Sequence, residues 1–241
     1  MNEAVAKIFS KLVLPERTIR IKLLGDSITH GQGGTGFNPT GATIVPGYSR
    51  NEDGYCWAKL FKEDLESRFN CEVINNAITG INIGFIVNHF DQMVDETDDI
   101  IVCIIGTNNR TQAKDGQPKQ TKRAYMELFY SELMNLQKLL AATGKDVIYV
   151  ANIPASAENE KDGEDFWRLL HMNDVNDLYI KAAAECGFPL ISLYSLFLDY
   201  CETKKIHMDS LLIDGLHPND EGYAVIYQLM MKEIGLGKPV L

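Results

Sequence analysis

"LLGDSITHGQGGTG", Leu23–Gly36, supports two readings that lead to different enzymes. Gly31-Gln-Gly33-Gly-Thr-Gly36 fits G-x-G-x-x-G, the dinucleotide fingerprint in which glycines turn a strand into a helix beneath a pyrophosphate. Gly25-Asp26-Ser27 instead presents a serine just past the apolar run "IRIKLL" (19–24). The first reading fails on its surroundings. Gly36 is followed by "FNPTGATIVPG", whose two prolines and two further glycines cannot open a helix, and the strand ends at Leu24, too early for the turn. The second reading fits its position, because ligands of open parallel sheets bind beyond the carboxyl ends of the strands.

The rest of the chain supplies such a sheet. "CEVINN" (71–76), "IIVCII" (100–105), "DVIYVAN" (146–152) and "FPLIS" (188–192) are four more short apolar runs with the length of buried strands. Helical patterns lie between and after them. Trp57, Leu60, Phe61 and Leu65 trace one face, and 121–142, 164–185 and 219–234 supply three more patterns. This alternation predicts an α/β fold with a five-stranded parallel sheet covered on both faces. Residues 1–241 read as one domain, and Val5, Ile8, Phe9 and Leu12 mark a short helix within 1–18 docked on its body. Segments 31–55 and 107–120 show no periodicity. Each begins just past a strand end, where long loops carry function.

Composition narrows the classes. The 241 residues are 45% hydrophobic, enough for a sizeable core, and the formal charge of -10 argues against nucleic acid or an anionic membrane surface as partner. No run approaches the roughly 20 apolar residues that membrane insertion needs. The start is a poor signal peptide, because Lys11 interrupts its apolar run. The five cysteines are an odd number without paired spacing, as in a reducing cytoplasm.

A serine hydroxyl is a weak nucleophile near neutral pH and needs a base, and an imidazole oriented by a carboxylate is the usual solution. "IDGLHPNDEGY" (213–223) places Asp214 three residues before His217, ahead of a helix start at Asn219. Acyl transfer also needs donors for the oxyanion. "IIGTNN" (104–109) brings Asn108 past the third strand, and "NNAITG" (75–80) brings Gly80, with an unobstructed N–H, past the second. Each piece alone is ordinary: a helix cap, a surface turn, two loop formers. Their joint placement, after three strand ends and before the last helix, is specific.

These residues resemble the four sequence blocks of the GDSL/SGNH hydrolase family: "LLGDSIT", "NNAITG", "IGTNN" and "DGLHPNDEGY". The resemblance implies a flavodoxin-like three-layer α/β/α fold and serine esterase chemistry without metal or organic cofactor. Ser27, Asp214 and His217 take the catalytic places, with Ser27, Gly80 and Asn108 around the oxyanion. Two positions depart from the pattern. Ile28 stands where the name-giving leucine would be, and Asn109 replaces the aspartate of G-x-N-D, a lost charge expected to loosen the loop of Asn108.

The family's open groove implies a small-molecule or glycan ester as partner, with acetyl on carbohydrate foremost. Phe37, Tyr48 and Tyr55 are candidate ring-stacking surfaces, and Asp26 and Arg110 further substrate contacts. Lipase-like, lysophospholipase or thioesterase activity, glycan O-acyl transfer, and carbohydrate binding by a silent site remain alternatives. Arg110, Lys114, Lys119, Lys122 and Arg123 form a basic island that would attract an anionic part of the substrate. Oligomeric state is not legible: "VIYQLMMKEIGL" (225–236) serves equally as core or as interface.

Overall fold

Five apolar runs become five strands of one sheet in the computed structural model, which describes residues 1–237. The chain begins with α1 (Glu3–Phe9), β1 (Ile19–Gly25) and the one-turn α2 (Ser27–His30). A hairpin of β2 (Thr43–Val45) and β3 (Tyr48–Ser49) precedes α3 (Trp57–Arg68) and β4 (Cys71–Asn75). Then come α4 (Ile83–Asn88), α5 (Phe90–Met93), β5 (Ile100–Ile104), β6 (Thr111–Ala113) and α6 (Lys122–Ala142). The C-terminal part adds β7 (Asp146–Ala151), β8 (Phe166–Arg168), α7 (Met172–Cys186), β9 (Leu190–Ser192), α8 (Leu193–Lys204) and α9 (Asp220–Glu233).

The sheet order is β4-β1-β5-β7-β9, and every neighbouring pair is parallel. Strand β5 shows why the runs are apolar throughout: all five of its residues are buried, because both faces of a parallel sheet are covered. Ile100, Val102 and Ile104 join a core with α1, α3, α8 and α9. Ile101, Cys103 and Ile105 join a second core with α4, α6 and α7. This is the three-layer α/β/α arrangement. Helix α3 buries Trp57, Phe61 and Leu65 at four-residue spacing, and truncating Phe61 to alanine costs about 3–5 kcal/mol. In α1, Val5 and Phe9 are buried, while Asn2 accepts from the N–H of Val5 at the helix start.

Two segments differ from the sequence reading. The pattern over 164–185 is not one helix. Phe166–Arg168 pairs antiparallel with Thr111–Ala113, and α7 starts only at Met172. The Arg110 carbonyl accepts from the N–H groups of Leu169 and Leu170, which holds this stretch out of helical hydrogen bonding. The loop 31–55 contains the β2–β3 hairpin, whose strands of two and three residues are too short to show alternation. No helix among the described residues is long and apolar enough to cross a membrane.

Candidate active site

Strand β1 carries the chain to Gly25, and the turn that follows is tight. A Cβ on Gly25 would lie 2.6 Å from Thr29 Oγ1 and 2.9 Å from the Ile104 carbonyl. Asp26 caps α2, accepting from the Ile28 N–H at 3.1 Å. The cap is therefore the aspartate, and the Ser27 hydroxyl is left for other chemistry. Its Oγ lies 2.9 Å from His217 Nε2, and His217 Nδ1 lies 2.7 Å from Asp214 Oδ2. The other Asp214 oxygen accepts from the N–H groups of Leu216 (3.0 Å) and His217 (2.8 Å). Burial pushes the Asp214 carboxyl up, but these bonds and the His217 ring outweigh it and hold the group below its ordinary value. It stays ionised and fixes the Nδ1–H tautomer, which leaves Nε2 free to accept a proton.

The glycine run lies against the same histidine. Gly33 has φ +103, and a Cβ there would come within 2.5 Å of the Pro218 carbonyl and 3.3 Å of His217 Cβ. Glycine is required so that this loop can pack on the histidine segment. The chance G-x-G-x-x-G match has that packing role.

Two loops follow the neighbouring strand ends, and the Ile78 N–H on the Gly25 carbonyl ties the first of them to the Ser27 turn. Gly80, at φ +80, and Ser27 both carry N–H groups without an acceptor among the described residues. Asn108 Nδ2 donates one hydrogen to the Ile81 carbonyl at 2.8 Å, and its second has no acceptor among the described residues. Next to it, Asn109 accepts from the Ile83 N–H at 3.0 Å and donates to Glu132 Oε2 at 2.5 Å. The sequence reading expected a looser loop here. Instead, the Asn109 amide ties that loop to both α4 and α6.

The other candidates separate into two groups. Asp26 is wholly buried beneath Ser27, with Asn152 Nδ2 at 3.3 Å from each carboxylate oxygen. Burial raises its carboxyl; the Thr107 hydroxyl, the Ile28 N–H and the nearby His217 oppose that. Arg110 is also fully buried. It donates to the Thr107 carbonyl (2.9 Å), Glu160 (3.0 Å) and Asn159 (3.2 Å), and burial pushes it down to about 10. Neither residue offers an atom to a substrate, which corrects the sequence reading of both. A buried charge needs partners, and theirs lie far away in sequence.

The basic island is likewise compensated. Lys119 pairs with Asp162, Lys122 with Asp174 and Arg123 with Glu127, while Lys114 donates to two carbonyls. Tyr55 packs partly buried against the first core. Phe37 and Tyr48 come together instead, beside a pocket of 280 Å³ lined also by His30, Ile78 and Thr79. Phe37 meets His30 edge-on at 5.3 Å, and Tyr48 meets Phe85 edge-on at 5.4 Å. His30, Thr79 and Phe85 went unread in the sequence, although His30 stands one helical turn after Ser27.

The family model described as GDSL-like lipase/acylhydrolase matches residues 23–225. Solved structures share the fold at low identity. The lipase/acylhydrolase from Enterococcus faecalis is 20% identical, with a TM-score of 0.62 covering 93% of this chain and 100% of its own. Axe2, an acetylxylan esterase from Geobacillus stearothermophilus, is 18% identical, with a TM-score of 0.67 covering 92% and 98%. LAE5, an α/β hydrolase enzyme from the metagenome of Lake Arreo, is 22% identical, with a TM-score of 0.65 covering 92% and 97%. At such identities the likeness speaks for the fold alone. No curated protein matches the chain. The family match runs from the strand before Ser27 into the helix after His217, and so the chain belongs to the GDSL-like lipase/acylhydrolase family, as a carboxylic ester hydrolase.

Proposed function

We propose that the protein is a serine esterase that removes short acyl groups, foremost acetyl, from carbohydrate. The observation that carries this reading is the hydrogen-bond chain from Asp214 through His217 to Ser27, at 2.7 and 2.9 Å. His217 takes the Ser27 proton on Nε2 as Oγ attacks the ester carbonyl, and Asp214 stabilises the imidazolium. The oxyanion accepts from the Ser27 and Gly80 N–H groups and the Asn108 amide, each donor contributing about 3–4 kcal/mol. Collapse expels the alcohol, which takes the proton from His217. Water, deprotonated by His217, then releases the acid from the acyl-enzyme.

The pocket lined by Thr79, the residue before Gly80, supports a sugar as the alcohol. Phe37 and Tyr48 supply ring faces, while Thr79 and Ser49 supply polar groups. One structural neighbour is itself an acetylxylan esterase. The test is acetate release from acetylated xylo-oligosaccharides, beside p-nitrophenyl acetate, butyrate and octanoate. The reading expects oligosaccharide turnover and a steep fall in kcat/KM with chain length. Octanoate turned over as fast as acetate would contradict it in favour of a lipase-like enzyme.

A further inference from the structure

His30 ends α2, one turn after Ser27 on the same four-residue helix. It is 3% exposed, yet both ring nitrogens are engaged. Nδ1 lies 3.1 Å from the Thr79 backbone nitrogen and 3.0 Å from Thr79 Oγ1, and Nε2 lies 3.0 Å from the Ser49 carbonyl. A backbone N–H can only donate and a carbonyl can only accept. The ring is therefore neutral with its hydrogen on Nε2, and burial acts the same way by lowering its affinity for a second proton.

Thr79 precedes Gly80, and Ser49 ends the β2–β3 hairpin that carries Tyr48. One imidazole thus joins the nucleophile turn, the loop of the oxyanion glycine and the aromatic hairpin. The tip of that loop has few other restraints. Thr79 and Gly80 are both exposed, and beyond the two chain neighbours no described atom lies within 4 Å of the place a Gly80 Cβ would take. The nearest anchors are the Ile78 N–H on the Gly25 carbonyl and the Asn108 amide on the Ile81 carbonyl.

We propose that His30 is the positioning residue of the oxyanion hole: Nδ1 holds the Thr79 N–H and thereby aims the next one, that of Gly80, at the ester oxygen. The role rests on the serine-esterase reading of the site. Its two contacts can be separated by substitution. In His30→Asn the amide oxygen takes the place of Nδ1 and still accepts from Thr79, while the Ser49 contact is lost. In His30→Gln the amide N–H reaches towards Ser49, and the Thr79 contact is lost.

The probe is a p-nitrophenyl alkylphosphonate. Ser27 Oγ bonds to phosphorus, the aryl P–O bond breaks, p-nitrophenolate leaves and the serine proton passes to His217. The phosphoryl oxygen draws on the same donors as an ester oxyanion. The limiting labelling rate and the half-saturating concentration are read for each protein, with thermal melts alongside. His30→Gln is expected to lower the limiting rate about 10- to 100-fold at unchanged half-saturation, and His30→Asn to restore it to within about threefold of wild type. Equal losses in both variants, or no loss in His30→Gln, overturn the proposal. Amide exchange at Thr79 of the wild type reads the same contact without substitution: protection at this exposed residue is expected, and random-coil exchange overturns the role. A wild type that is not labelled at all overturns the serine-esterase reading, and this role with it. Labelled wild type with unaffected variants overturns the His30 role alone.

Discussion

Asn109 donates its side-chain amide to Glu132 across 2.5 Å, beside Asn108, whose own amide donates to the Ile81 carbonyl. The family pattern has aspartate at this position, and here the partner explains the amide. Burial already raises the Glu132 carboxyl, and a second carboxylate at that distance would raise it further.

Asn109→Asp is therefore predicted to cost about 1–3 kcal/mol at pH 7. A raised folded-state value means that the folded form binds the extra proton more tightly than the unfolded chain. The loss is then absent at pH below the ordinary carboxylate value and grows as pH rises through the raised one. Adding Glu132→Gln should restore most of the stability at pH 7. Urea denaturation of the single and double variants at pH 4 and pH 7 checks both statements.

Asp26 predicts the opposite exchange. Its carboxyl is fully buried and raised, so keeping it ionised costs folding free energy above the ordinary carboxylate value. Asp26→Asn retains an oxygen to cap Ile28. It should lessen the loss of stability as pH rises from about 4 to 7, so that the two proteins' melting temperatures draw apart in the variant's favour over that range. The lost charge also no longer favours the His217 imidazolium, so kcat/KM should fall by about threefold or more. Melting curves against pH, paired with ester kinetics, test the two halves separately.

Arg110 behaves as a buried strut. Removing its guanidinium in Arg110→Met leaves Glu160 without its cation and should cost about 3–5 kcal/mol. Because Arg110 and its basic neighbours are occupied within the chain, neutralising Lys119, Lys122 and Arg123 together should leave the ratio of KM for anionic and neutral esters unchanged. A selective rise in KM for the anionic ester would reinstate the basic island as a substrate contact.

The aromatic pocket gives a substrate-dependent effect. Tyr48→Ala and Phe37→Ala are predicted to raise KM for acetylated oligosaccharides about 5- to 10-fold, from roughly 1–1.4 kcal/mol of lost ring contact, with a much smaller effect on p-nitrophenyl acetate. Equal effects on both substrates would place the sugar elsewhere.

How far the sequence was legible follows from the same residues. The five strands could be read because burial on both faces of a parallel sheet makes them unbroken apolar runs. Ser27, Asp214 and His217 could be singled out because so few residue types can activate a hydroxyl. The sequence offers Asp26 and Arg110 as substrate contacts, because the groups that permit their burial, Asn152 and Glu160, lie 126 and 50 residues away. The short paired strands of 43–49, 111–113 and 166–168 are held by partners and leave no period in the chain. His30 sits at helical spacing from Ser27, but its purpose depends on Thr79 and Ser49, which arrive from other loops.

The most direct test of the account is turnover of p-nitrophenyl acetate by wild type and Ser27→Ala, measured side by side after both are shown to melt alike. The account predicts catalysis by the wild type and a loss in the variant of at least about 10³-fold, to the residual level that oxyanion donors and binding alone support. Equal rates from the two proteins would show that Ser27 is not the nucleophile and would contradict the mechanism at its first step.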